Sequence, residues 1–216
     1  ENYTGEFYYT CYRHSSMNIK VKEETVLDVD LNGYLLDGYI KNATGQLIDL
    51  ETDTIIRQFV TDSYGKWSVK VPNDELPNLY KIKFLPGGID ILTNKEVKTT
   101  FSNVAIKNET TGLSSKTINI SPVTTLKAAM VENKIKKIIE EKEVEEEINL
   151  GEVDTIIAET QTFVAKKFEI PAEDLEKDYI SESNTKVLKA NAKLSVITET
   201  LKDLVTEVEG SVEEDN

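Results

Sequence analysis

The chain has 216 residues, with 39 Asp and Glu against 25 Lys and Arg and a formal net charge of −14. The excess is uneven: 16 acidic residues against 13 basic ones precede Val123, and 23 against 12 follow it. So acidic a second half repels phosphate backbones and anionic headgroups, which argues against nucleic-acid binding and membrane-surface roles.

The length suits two small domains, each with a modest core. Cys11 is alone, so no intrachain disulfide and no cysteine zinc site can form; it is either a buried thiol among Tyr8, Tyr9 and Tyr12 or an intermolecular link. No apolar run reaches transmembrane length and no signal-peptide pattern occurs. The chain begins at Glu1 rather than Met, so this absence decides nothing about compartment. Asn-X-Ser/Thr sequons stand at Asn2, Asn42, Asn108 and Asn119, about as many as this Asn- and Thr-rich composition gives by chance.

In chain order, residues 1–19 read as an extended, aromatic-rich arm without a partner sequence of its own. Its Phe7, Tyr8, Tyr9 and Tyr12 are interface candidates, and the competing reading is a first strand of the following domain. Residues 20–121 show short β-branched runs between turn signals, which predicts an all-β sandwich of about seven strands. Asn32-Gly33 reads as a tight turn. Thr61-Asp62-Ser63-Tyr64-Gly65-Lys66 reads as a hairpin leading into a strand whose Trp67, Val69 and Val71 face the core while Ser68 and Lys70 face water.

After Ser121-Pro122 the apolar period changes from two to about 3.6, which predicts a separate all-α three-helix domain over residues 122–210. The first helix starts near Val123 to Thr125, runs through Leu126, Met130 and Ile138-Ile139, and ends in the charge run 140–147. The second spans about Glu152 to Phe168, with Val153, Ile156, Ile157, Val164 and Phe168 on one face. Ile170-Pro171 breaks the helix before a short helical turn. In the third helix Val187, Ala190, Leu194, Ile197, Leu201, Leu204 and Val208 alternate spacings of three and four, a seam that buries itself either against the other two helices or against a second copy. Glu209-Gly210 is the expected stop, and 211–216 the expected disordered tail.

Several short segments carry a resemblance. Asp37-Gly38-Tyr39-Ile40-Lys41-Asn42-Ala43-Thr44 resembles an opening strand written D-G-Y-V-x-G-A-T, and Thr61 to Trp67 a T-D-x-x-G-x-Y/W turn. Pro86-Gly87-Gly88-Ile89-Asp90 resembles a P-G-G-x-D turn, and Ile120-Ser121-Pro122-Val123-Thr124-Thr125-Leu126 a V-T-P-L-T-T-L linker. Phe168-Glu169-Ile170-Pro171, Asp174-Leu175 and Asp178-Tyr179 echo a G-L-P, D-L, D-P series. Over about residues 26–205 the chain is similar to a unit of large bacterial surface proteins and of some virion proteins of large DNA viruses. That unit pairs a prealbumin-like or carboxypeptidase-regulatory-like sandwich with a small helical domain. The resemblance implies a surface or virion location. It also implies a loop that in related units is able to bind calcium; here Asp49, Glu51 and Asp53 occupy it with degraded ligand spacing and no Gly, so calcium is a weak candidate and no other cofactor is expected.

Catalytic constellations are missing from the pattern. His14 is the only histidine and sits in the arm, Gly87-Gly88 is followed by no helix start, and the helical carboxylates fall on solvent faces. The expectation is a non-enzymatic structural protein acting through contacts with other protein subunits, at a virion or cell surface, without membrane insertion. The alternative is a secreted adhesive module that binds carbohydrate or calcium.

Overall fold

The computed structural model describes residues 7–10, 18–21, 28–107, 114–141 and 148–214. Strands β1 (Phe7–Thr10) and β2 (Asn18–Val21) pair antiparallel, from Phe7 opposite Val21 to Thr10 opposite Asn18. The arm thus has a partner of its own, against expectation, and the expected boundary between residues 19 and 20 cuts through β2. Neither strand joins the other sheets.

A three-stranded sheet has β3 (Asp28–Tyr34) at its centre, flanked antiparallel by β7 (Lys66–Pro72) and parallel by β11 (Ser114–Thr117). A four-stranded sheet runs in the order β10 (Phe101–Ile106), β8 (Leu79–Phe84), β5 (Thr44–Asp49), β6 (Ile55–Val60), all antiparallel. The two-residue strands β4 (Ile40–Lys41) and β9 (Ile89–Asp90) form a small separate ladder. One apolar cluster draws on both larger sheets: Leu31, Trp67 and Val71 meet Leu47, Tyr80, Ile82, Phe84 and Phe101. Trp67 stacks on Phe59 at 5.2 Å and meets Phe84 edge-on at 6.1 Å, an aromatic arrangement that adds to the burial. The expected alternation holds in β7: Trp67 and Val71 are buried, Val69 packs on the cluster, and Ser68 and Lys70 are exposed.

Two turn readings change. Asn32-Gly33 lies inside β3, with Gly33 opposite Trp67. The glycine is needed for closeness rather than for turning, because a Cβ there would lie 2.2 Å from the backbone oxygen of Ile118. The 61–66 segment has the expected turn, in which Asp62 Oδ1 accepts from the N–H groups of Tyr64 and Lys66 and Gly65 has φ +75°. It is not a hairpin of paired strands, since β6 and β7 belong to different sheets. Thr61 Oγ1 instead ties the turn back to the N–H of Ala43.

Among the described residues the helices are α1 (Pro122–Glu141), α2 (Leu150–Phe168) and α3 (Thr185–Glu214), with a 3-10 turn at Ala172–Asp174. Pro occupies the first position of α1, where its missing N–H is no loss. Ser121 and Thr124 exchange side-chain bonds with each other's N–H, a reciprocal cap. Asn149 caps α2, and Glu169 ends it in the left-handed conformation, at the position where the G-L-P pattern carries glycine. Val153, Ile156, Ile157, Val164 and Phe168 all pack inward as their spacing predicts.

The helices do not keep a core to themselves. Leu79 and Val104 of the four-stranded sheet cluster with Ala128, Val131 and Ile135 of α1 and Val153 of α2. Leu36 joins Val123, Val164, Leu175, Tyr179, Val187 and Ala190. The sequence break at Pro122 is therefore a change of secondary structure and not of core. Along the α3 seam Val187 and Ala190 are buried and Leu194 half-buried, but Ile197 is 51% exposed, and the side chains of Leu201, Leu204 and Val208 lie outside the described residues. The helix continues through Gly210 to Glu214 rather than stopping at Glu209-Gly210.

Gly33→Ala tests the close crossing of β3 and the 118–120 segment. Chemical denaturation should show a loss of about 2 kcal/mol or more, the cost of forcing a methyl into packed backbone, whereas alanine at the exposed Gly151 should cost far less.

Candidate functional site at the strand–helix joint

The segments that carry the family resemblance lie far apart in sequence and meet at one end of the strand region. Gly38, at φ +96°, lies so close to Asp90 that a Cβ would reach its Oδ1 at 2.4 Å. Gly65 abuts Tyr39 and the N–H of Ile40, and Gly88 abuts Ile40 and Ala43. The helical segment closes this end. Tyr39 donates its hydroxyl to Asp178 Oδ2 at 2.8 Å, and Tyr179 donates to the carbonyl of Leu36 at 3.1 Å. Ser195 of α3 lies 3.1 Å from both Asp37 Oδ1 and the carbonyl of Asn191.

Charge is concentrated here. Burial pushes the Asp37 carboxyl up to about 6, with the negative charges of Asp90 and Glu199 acting in the same direction and the Ser195 hydrogen bond against it. Tyr39 is pushed up to about 12, first by burial and then by its bond to Asp178. Burial raises the Tyr179 hydroxyl as well.

A second polar group lies beside β10. Lys127 points from α1 into the interior, 1% exposed, and its ammonium pairs with Glu176. The same Glu176 oxygen accepts from Asn103 Nδ2 at 3.3 Å. Asn119 binds the N–H of Tyr34 through Oδ1 and the Glu176 carbonyl through Nδ2. A cavity of about 170 Å³ opens alongside, lined among others by Asn103, Lys116, Lys127, Asp154 and Glu176. Burial lowers the Lys116 ammonium, which donates to the carbonyl of Ile106 at 2.7 Å.

The residues singled out from sequence fare differently. Asp49, Glu51 and Asp53 lie in and beside the β5–β6 turn, where Asp49 Oδ1 accepts from the N–H of Glu51. Among the described residues no three His, Cys, Asp or Glu side chains converge as a metal site, so these three form no calcium cage. Phe7, Tyr8 and Tyr9 lie in β1; Tyr12, Cys11, His14, Asn2 and Asn108 lie outside the described residues. Asn119 is buried, with both ends of its amide hydrogen-bonded within the fold, while Asn42 is exposed. No helix among the described residues is long and apolar enough to cross a membrane.

Asn103, Asn119, Lys127 and Glu176 were not legible as a group from sequence. One signal does exist: Lys127 sits between Val123 and Val131, four residues from each, on the buried stripe of α1. A lysine at a core position of an amphipathic helix calls for a buried acceptor.

Asp37 holds its proton in the folded chain to about pH 6 and releases it near 3.8 when unfolded. The folded state is therefore favoured as pH falls through that window and disfavoured as pH rises through it. Asp37→Asn keeps an acceptor for Ser195 without the charge. Comparing unfolding free energies at about pH 4 and about pH 7, the wild type should lose on the order of 2 kcal/mol more than the variant.

No protein-family model matches this chain, and no curated protein is significantly similar to it.

Proposed function

We propose that the chain is a non-enzymatic structural module of a surface assembly, virion-associated or of a cell envelope, that works through contacts with other protein subunits. In this reading the two larger sheets are the faces of a prealbumin-like sandwich. The observation that carries the proposal is the outer surface of the helices. Val196 is 62% and Ile197 51% exposed on α3, with Leu188 exposed on the same helix and Phe163 on α2. Exposed apolar side chains on α2 and α3, with Ile197 standing on the apolar repeat of α3, are suited to a protein partner. The resemblance motifs support the same reading, because their residues are occupied in holding strands to helices rather than in presenting reactive groups.

Sedimentation of the full chain over a range of concentrations tests this reading. Wild type should associate with rising concentration, and a Val196→Glu, Ile197→Glu double variant should stay monomeric with unchanged helical circular dichroism. A wild type that is monomeric throughout counts against self-contact. Thermal stabilisation by calcium or by a glycan panel would replace the assembly reading with an adhesive one.

A further inference from the structure

One hydroxyl at the joint is claimed by two acceptors. Ser195 Oγ lies 3.1 Å from Asp37 Oδ1 and 3.1 Å from the carbonyl of Asn191, four residues back on α3. A hydroxyl has one proton to give, and on a helix the carbonyl four residues back commonly takes it. Both contacts are full hydrogen bonds only when Asp37 carries a proton and donates it to Ser195 Oγ, which then donates to Asn191. We propose that Asp37 is a proton-operated latch, whose protonated carboxyl ties the segment after β3 to the middle of α3 and whose ionised form lets that part of α3 go.

The surroundings hold this carboxyl in place while making its charge costly. Asp37 follows Leu36, whose carbonyl accepts from Tyr179, and precedes Gly38, which abuts the Asp90 carboxylate. Asp90 is itself pinned as an acceptor by the N–H of Leu92 and the hydroxyl of Thr93, so its charge stays beside Asp37. From α3, Glu199 stands one turn beyond Ser195 and acts in the same direction. From the segment before α3 the neighbouring groups are Tyr179 and Asp178, and from the segment of Asp37 itself Tyr39. Burial together with Asp90 and Glu199 accounts for an Asp37 that keeps its proton to about 6. With α3 lifted away the carboxyl ionises as in water, near 3.8. The latch is therefore fully closed below about pH 4, weakens as pH rises to about 6, and changes little above that. Val196 and Ile197 follow Ser195 directly, so the same proton fixes how that exposed apolar pair is held. Its presentation to a partner rests on the assembly reading, whereas the latch does not.

Carboxyl-carbon NMR titration of the full chain, with amide hydrogen exchange followed over the same pH range, tests the latch. Asp37 should titrate at about 6. The amides from Ala192 to Glu199, corrected for intrinsic exchange, should lose protection by about 100-fold between about pH 4 and about pH 6, the factor carried by a shift of about two units. Asp37→Asn, whose amide donates to Ser195 at every pH, should keep these amides protected throughout. Ser195→Ala removes the acceptor of the acid form, so Asp37 should titrate below its wild-type midpoint. A higher midpoint in Ser195→Ala shows the hydroxyl donating to an ionised carboxylate, and overturns the proposal. So does a wild-type Asp37 that titrates at about 4, the ordinary carboxylate value. Amides of α3 that exchange only as fast as those of β8 at each pH also overturn it, because they report unfolding of the whole chain and not release of α3.

Discussion

The first residues of α1, Pro122 to Thr124, are buried, and the joint between strands and helices is arranged around satisfying them. A helix start leaves N–H groups without intrahelical partners, and a buried one must find them within the protein. Pro122 removes one donor. Ser121 Oγ meets the N–H of Thr124, and Asn191 of α3 accepts the N–H of Val123 at 3.0 Å. Asn191 is held in turn by its bond to the Val187 carbonyl. Thr125 Oγ1 accepts the N–H of Ser102 on β10, and Thr124 Oγ1 lies 3.4 Å from the Ser102 carbonyl. One helix end thereby fixes β10, α1 and α3 together.

That constraint explains why strands and helices share cores. The four-stranded sheet contributes Tyr80, Ile82 and Phe84 to one cluster and Leu79 and Val104 to another, so both of its faces are covered. The polar residues at the joint follow different rules. Lys127 has its counter-charge and Asn119 uses both ends of its amide, so these groups specify one geometry at modest cost. Asp37 is buried near further carboxylates with a single hydroxyl to offset the charge, and it weighs against the folded state near neutral pH.

What could be read from the sequence was local. Pro122 with Ser121 and Thr124 marks a helix start, the period of α2 selects its inward face, and Trp67-Ser68-Val69-Lys70-Val71 declares its inner side, because each depends on neighbours within a few residues. Misreadings arose where a distant segment decided. Asn32-Gly33 has the composition of a turn, yet the glycine serves the passage of Ile118. The turn at 61–66 keeps its hydrogen bonds, yet its strands go to different sheets. The α3 repeat is regular in sequence, yet Leu194 is half-buried and Ile197 largely exposed.

The sequence alone determined that a strand region precedes a helical one, the helix start at Pro122, the acidic second half and the apolar faces, since these follow from backbone preference, charge and periodicity. Only the tertiary structure decided that the motif segments converge on one joint, that Asp37 is buried near like charges, and that Glu176 meets both Lys127 and Asn103. Those facts depend on contacts between residues many positions apart, and chain order carries no local signal for them beyond a lysine placed where an apolar side chain was due.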